Sequence, residues 1–212
     1  MSSEAMARPG PDALPERVAS FARWGARIGL LGGSFNPAHE GHRHISLIAL
    51  RRLKLDLVWW LVSPQNPLKS TSEMAPLERR LQSAREMAAH PDIAVSAIEA
   101  ELKTQYTVDT IAALQRMFPR AHFVWLMGGD SMASFHLWKD WEEIARRVPM
   151  AVIARPGFTT KALNSPAGIA LQAARVRDAG TLADAKPPAW AFIHERLDPA
   201  SATALRNRGV WR

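Results

Sequence analysis

A chain of 212 residues, 47% of them hydrophobic, can bury the core of one globular domain. It contains no cysteine, which excludes disulfides, thiolate nucleophiles and cysteine-ligated zinc or iron–sulfur centres. Lys and Arg exceed Asp and Glu by 27 − 20 = 7, a basic balance that favours anionic partners without choosing among nucleotides, nucleic acid and acidic lipid.

Residues 1–25 are rich in Ala, Pro and Arg and are expected to be a mobile segment ahead of a domain spanning 26–212. They hold no apolar run of secretory-signal length, and no stretch of the chain nears the ~18–20 apolar residues of a membrane span. A soluble, cytoplasmic protein is expected. From Arg27 onward, short β-rich apolar runs alternate with longer stretches of helical period. That alternation implies a Rossmann-like α/β fold, a doubly wound parallel sheet with helices on both faces, in a single domain.

The first strand is expected over 27–31, followed by a Gly32-Gly33 turn and a helix over 42–52. A second strand over 56–62 puts the adjacent Trp59 and Trp60 on opposite faces, as in a sheet covered on both sides. After a loop punctuated by Pro64 and Pro67, Leu77, Leu81, Ala84 and Ala88 recur at helical spacing within 76–89. Residues 93–98 alternate like a strand, 108–118 like a helix ended by Pro119, and 122–127 form a buried strand opening into Gly128-Gly129-Asp130-Ser131. A helix over 141–147 and a strand over 150–154 follow, closed by Arg155-Pro156-Gly157. Residues 161–177 are partly helical by pattern, 178–188 loop-like, and 190–194 the last strand, while Ser201 is a favoured N-cap for a short helix over 201–206. Ligands of such open sheets bind beyond the carboxyl ends of the strands, so the chemistry is sought in those loops.

The loop after the first strand runs Gly32-Gly33-Ser34-Phe35-Asn36-Pro37-Ala38-His39-Glu40-Gly41-His42. Paired glycines let the backbone approach a ligand, and the helix start that follows offers N–H groups to phosphate. The Gly spacing matches neither a Gly-x-Gly-x-x-Gly fingerprint nor a Walker loop. His39 and His42 lie three apart, on one side of a helical turn, where both can donate to one phosphate chain. A zinc pair or two surface histidines are the plainer alternatives, and zinc would need a third ligand.

This loop resembles the Gly-Gly-x-Phe-x-Pro-x-His-x-Gly-His signature of the His-x-Gly-His nucleotidyltransferase superfamily. The resemblance implies that His39 and His42 hold the ATP phosphates, with the backbone near Gly33, Ser34 and Phe35 lining the nucleotide site. Ser201-Ala202-Thr203-Ala204-Leu205-Arg206 is similar to the superfamily's second phosphate motif. Ser201, Thr203 and Arg206 would then complete a triphosphate clamp; a capped helix with a solvated arginine is the alternative.

Three more segments resemble those of the bacterial nicotinate mononucleotide adenylyltransferases: Tyr106-Thr107-Val108-Asp109-Thr110, Gly129-Asp130-Ser131 with Phe135, Trp138 and Trp141, and Arg155-Pro156-Gly157. The resemblance covers 27–206 and implies an acceptor site in which Thr107 lies against the nicotinate, Asp130 accepts from ribose hydroxyls and Trp138 stacks on the pyridine ring, with Lys69 and Arg155 contributing. By itself, Asp130 reads equally well as a helix N-cap, whereas Trp138, one tryptophan among eight, reads better as a core aromatic. Asn36 stands in place of the usual Asp, Ala200 in place of the usual Ile, and the loop from Pro64 to Lys69 lacks the family's Pro-His pair.

The implied reaction is attack of the mononucleotide's 5′-phosphate on the α-phosphorus of ATP. That phosphate has a second pKa of about 6 and is mostly ionised at neutral pH, so no general base is needed. Catalysis would consist of positioning and charge stabilisation by His39, His42 and Arg206. Mg²⁺ is expected on the ATP phosphates and water, with no protein ligand. Competing readings are another acceptor (phosphopantetheine, flavin mononucleotide or nicotinamide mononucleotide) and a basic nucleic-acid-binding module without catalysis; a nucleic acid or membrane partner is not expected.

Overall fold

Six strands lie side by side in one parallel sheet: β1 (Arg27–Gly33), β2 (Leu57–Val62), β3 (Ile93–Ser96), β4 (His122–Gly128), β5 (Met150–Ile153) and β6 (Trp190–Ile193). The structure is a computed structural model and describes residues 15–64 and 74–194. The strand order is β3-β2-β1-β4-β5-β6. Chain order therefore runs outward from β1 in one direction and from β4 in the other, and the connections after these two central strands diverge. A crevice opens at such a switch point, beyond the carboxyl ends of the strands. The architecture is the single-domain, Rossmann-like α/β fold expected from the alternating pattern.

Both faces of the sheet are covered, which is why its strands are apolar along their whole length. Every residue of β2, Leu-Val-Trp-Trp-Leu-Val, is buried. Trp59 and Trp60 do point to opposite faces, and each indole N–H is satisfied there: Trp59 Nε1 donates to Ser96 Oγ at 2.8 Å and Trp60 Nε1 to Ser46 Oγ at 2.7 Å. Helices α2 (Glu40–Arg52) and α3 (Leu77–Ala88) cover the Trp60 face through Ile45, Ile48, Leu81 and Ala84. The other face is covered by α1 (Glu16–Arg23), α5 (Thr107–Met117), α6 (Gly129–Ala133), α7 (Trp141–Arg147), α8 (Thr159–Leu163) and α9 (Pro166–Ala170). Between β3 and α5 a single helical turn, α4 (Ile98–Glu101), intervenes.

Several expectations need correction. Residues 16–23, assigned by composition to a segment outside the domain, form α1, whose Val18 and Ala22 are fully buried at i, i+4 spacing and whose Arg17 pairs with Asp92 at 2.6 Å. β3 stops at Ser96 instead of reaching Ile98, because Ser96 Oγ accepts the Ile98 N–H at 3.3 Å and turns the chain into α4. β1 continues through both glycines, and α2 starts at Glu40 with His39 as its N-cap. Residues 179–184 are a 3-10 helix and not loop: Asp178 accepts from Gly180 N at 2.8 Å, Leu182 is buried, and Asp184 pairs with Arg27 at 2.7 Å. No helix among the described residues is long and apolar enough to cross a membrane.

Candidate active site

A cavity of about 760 Å³ opens at the switch point and is lined from both halves of the sheet. The β1 loop supplies one wall. Gly32 is required there by packing, since a Cβ would sit 2.6 Å from Trp125 Cη2. Phe35 takes a left-handed backbone conformation, φ 45°, that is unfavourable for a side chain of its size. Burial holds it in place: the ring is 1% exposed, stacked on Trp60 with centroids 5.0 Å apart and packed against His42 at 4.6 Å.

The three-residue spacing of the histidines has a structural reason. His39 is the N-cap of α2 and His42 its third residue, and together they form a reciprocal capping box: His39 Nδ1 accepts from Gly41 N at 3.1 Å, and His42 Nδ1 accepts from His39 N at 3.2 Å. Because both Nδ1 atoms act as acceptors, each neutral ring carries its proton on Nε2. The ring centroids are 3.8 Å apart, and both residues line the cavity.

The opposite wall comes from the loops after β4 and β5 and from the start of α5. Thr107 is the first residue of α5, Asp130 follows the carboxyl end of β4, and Arg155 follows β5; all three line the cavity, as does Trp138. Arg155 Nη1 donates to Asp130 Oδ2 at 3.1 Å, whereas Asp130 Oδ1 is buried with no hydrogen-bond partner among the described residues. A buried, unpaired carboxylate oxygen is costly unless a donor arrives. Gly128 keeps this arrangement possible, since a Cβ there would meet Asp130 Oδ1. Trp138 is held edge-on by Trp125, 6.2 Å away at 85°, and by Phe135, 5.4 Å away at 70°.

The structure thus brings Gly33, Ser34, Phe35, His39, His42, Thr107, Asp130, Trp138 and Arg155 to one cavity. Lys69, Ser201, Thr203 and Arg206 lie outside the described residues. Glu99 and Lys139 also line the cavity, and neither belongs to a sequence motif. Glu99, on α4, is 7% exposed and accepts from Ser63 Oγ at 2.6 Å and Thr110 Oγ1 at 3.2 Å. Burial raises its pKa above the ordinary glutamate value, with those two hydrogen bonds opposing. Lys139 stands beside Trp138 with Nζ 4.2 Å above the Tyr106 ring, a cation–π contact at the acceptor wall. The Asp130 and Trp138 segment pointed toward Lys139 by adjacency; nothing in the strand-like pattern of 93–98 marked Glu99.

Residues 30–208 match the cytidylyltransferase-like family. Among curated proteins, one from Parvibaculum lavamentivorans, named a probable nicotinate-nucleotide adenylyltransferase, is 54% identical over 189 residues, spanning 88% of this chain and 94% of its own length. A protein of the same name from Methylorubrum extorquens is 52% identical over 184 residues, 86% of this chain and all of its own. Among solved structures, the nicotinic acid mononucleotide adenylyltransferase of Plasmodium falciparum, in complex with NaAD, shares the fold with a TM-score of 0.65 over 86% of this chain and 83% of that one, at 14% identity. With both walls of the cavity and these relatives in agreement, the chain belongs to the cytidylyltransferase-like family of nucleotidyltransferases and, within it, to the nicotinate-nucleotide adenylyltransferases.

Proposed function

We infer that this chain transfers the AMP part of ATP to nicotinate mononucleotide, giving nicotinic acid adenine dinucleotide and pyrophosphate, in NAD biosynthesis. The observation that carries this reading is the two-sided cavity at the switch point, with a histidine-capped helix start on one wall and the Asp130–Arg155 pair beside Trp138 on the other. The names of the relatives, and the NaAD bound by the Plasmodium enzyme, support it.

The β1 loop and His39 and His42 bind the triphosphate. Their Nε2–H groups donate to phosphoryl oxygens, where charge builds up during the transfer. Ser201, Thr203 and Arg206 supply the second half of the clamp, on the strength of their sequence motif. On the acceptor side, Asp130 takes the ribose hydroxyls, Trp138 stacks on the pyridine ring, and Thr107, Arg155 and Lys69 complete the pocket. Lys139 favours the acid over the amide acceptor, because its ammonium adds a cation to this wall.

In the transfer, an oxygen of the acceptor's 5′-phosphate forms a bond to the α-phosphorus, and the bond from that phosphorus to the bridging oxygen of the β-phosphate breaks. The electron pair leaves with pyrophosphate, and the mostly ionised nucleophile requires no base. Among the described residues no group of three or more His, Asp or Glu is arranged to hold a metal ion. Mg²⁺, when bound, would sit on nucleotide and water oxygens and neutralise phosphate charge. The cytoplasm, where ATP is made available, is the compartment proposed for the reaction.

Label transfer tests this. ATP carrying radioactive α-phosphate should deliver its label to a dinucleotide product, while γ-labelled ATP should deliver it to pyrophosphate. Label appearing as free AMP or orthophosphate would replace transfer with hydrolysis.

A further inference from the structure

We propose that Arg80 is a positioning residue for the transfer: its buried guanidinium locks the β1 nucleotide loop to the end of β2 and thereby sets the shape of the phosphate wall. The proposal rests on the nucleotidyl-transfer reading above. Arg80 belongs to α3, is 1% exposed and does not line the cavity. Nε donates to Ala75 O at 2.9 Å, Nη1 to Ser34 O and to Ser63 O at 2.7 Å each, and Nη2 to Pro64 O at 3.0 Å. One planar group thus gathers carbonyls from three separate segments. Ala75, on the far side of residues 65–73 from Pro64, is also tied directly to the β1 loop, since its N–H donates to Asn36 Oδ1 at 3.1 Å.

Two consequences reach the cavity. In a trans peptide the carbonyl and the next N–H point in opposite directions. Holding Ser34 O against Arg80 therefore turns the Phe35 N–H away from Arg80, fixing the direction of a backbone donor in the loop that lines the phosphate side. The second consequence is electrostatic. The four acceptors are neutral, and burial lowers the Arg80 pKa from its ordinary value, with Glu78 partly opposing. Arginine nonetheless stays protonated. The charge polarises the Ser34–Phe35 peptide and strengthens its N–H as a donor. Lysine cannot replace the fork, because its donors radiate from a single atom.

The chain from Arg80 continues toward the acceptor side. Ser63, whose carbonyl Arg80 holds, donates through Oγ to Glu99, and Glu99 accepts from Thr110 of α5. The principal effect of Arg80 is still expected on ATP, because Ser34 is a direct partner and α5 is several bonds away.

The test compares Arg80→Lys and Arg80→Gln with Ala84→Gly, a variant of a fully buried residue on the same helix that weakens α3 without touching the loop carbonyls. Each is measured for melting temperature, for steady-state constants with ATP and nicotinate mononucleotide, and for equilibrium binding of Mg-ATP. Loss of charged hydrogen bonds predicts ATP binding weaker by about 10–100-fold in both Arg80 variants. The acceptor KM should move by less than about threefold, and Ala84→Gly should keep parental ATP binding despite its lower melting temperature. ATP binding within twofold of the parent in Arg80→Lys would overturn the proposal. So would equal losses in Ala84→Gly, or an Arg80→Lys protein unfolded where Ala84→Gly stays folded, since each assigns Arg80 to stability alone. A parent protein that binds ATP but transfers nothing to nicotinate mononucleotide would instead count against the reaction, and the binding comparison would still decide the role of Arg80.

Discussion

His39 and His42 cap the same helix for each other, each Nδ1 accepting a backbone N–H, and this one arrangement puts both ring protons on Nε2. Capping and donation can be separated by substitution. Alanine at either position should slow turnover about 10²–10³-fold, the loss typical of one transition-state donor. Asn at position 39 keeps an acceptor for the helix N–H groups. His39→Asn should therefore melt close to the parent yet turn over as slowly as His39→Ala. Near-normal turnover in both alanine variants would remove the histidines from the mechanism.

Among the described residues, Asp130 leaves one oxygen buried and unpaired while the other accepts from Arg155. If that carboxylate receives the acceptor's ribose, Asp130→Asn should raise the KM for the mononucleotide about 10–100-fold, the range for a hydrogen bond to a charged group. The KM for ATP should stay within about threefold. Steady-state titration of each substrate decides it, and a rise confined to ATP would reassign Asp130.

Trp138 is braced edge-on by Trp125 and Phe135, which orients the ring without the acceptor present. Stacking on a base contributes about 1–3 kcal/mol. Trp138→Leu should weaken acceptor binding about 5–100-fold, while Trp138→Phe retains most of it. Equal binding by the Leu variant, measured by calorimetry, would leave Trp138 a packing residue.

Glu99 gives the fold a pH signature. Burial raises its folded pKa above the 4.5 of an exposed glutamate, so over some range of pH the folded protein keeps a proton the unfolded chain has lost. That contribution to stability is complete below the unfolded pKa and is lost as pH rises through the raised folded value. Gln at position 99 cannot titrate. The melting temperature of Glu99→Gln minus that of the parent should therefore increase from pH 4.5 toward neutrality. A difference that stays flat, or falls, contradicts the raised pKa.

Periodicity and turn chemistry in the sequence were enough to read most of the sheet and the loops that carry the site. Trp59 and Trp60 could be sent to opposite faces because successive strand residues must alternate. The His39–His42 loop was legible because glycines and a helix start form a local pattern. The ion pair of Asp130 with Arg155 was not: the two residues belong to separate motifs, and only the adjacency of β4 and β5 joins them. Arg79 and Arg80 look equivalent in sequence, and Arg80 is singled out only where the β1 loop, the end of β2 and the residue Ala75 turn their carbonyls toward one point. α1 escaped because so short a helix needs little more than Val18, Ala19 and Ala22 on its buried face. Residues 179–184 escaped because a short 3-10 helix begun by an Asp cap has no apolar period to detect.

Pyrophosphate release from ATP and Mg²⁺, measured with nicotinate mononucleotide and in parallel with nicotinamide mononucleotide, phosphopantetheine and flavin mononucleotide, tests the central claim most directly. Release with nicotinate mononucleotide well above the other three is the predicted result; release with another acceptor alone, or with none, would contradict it.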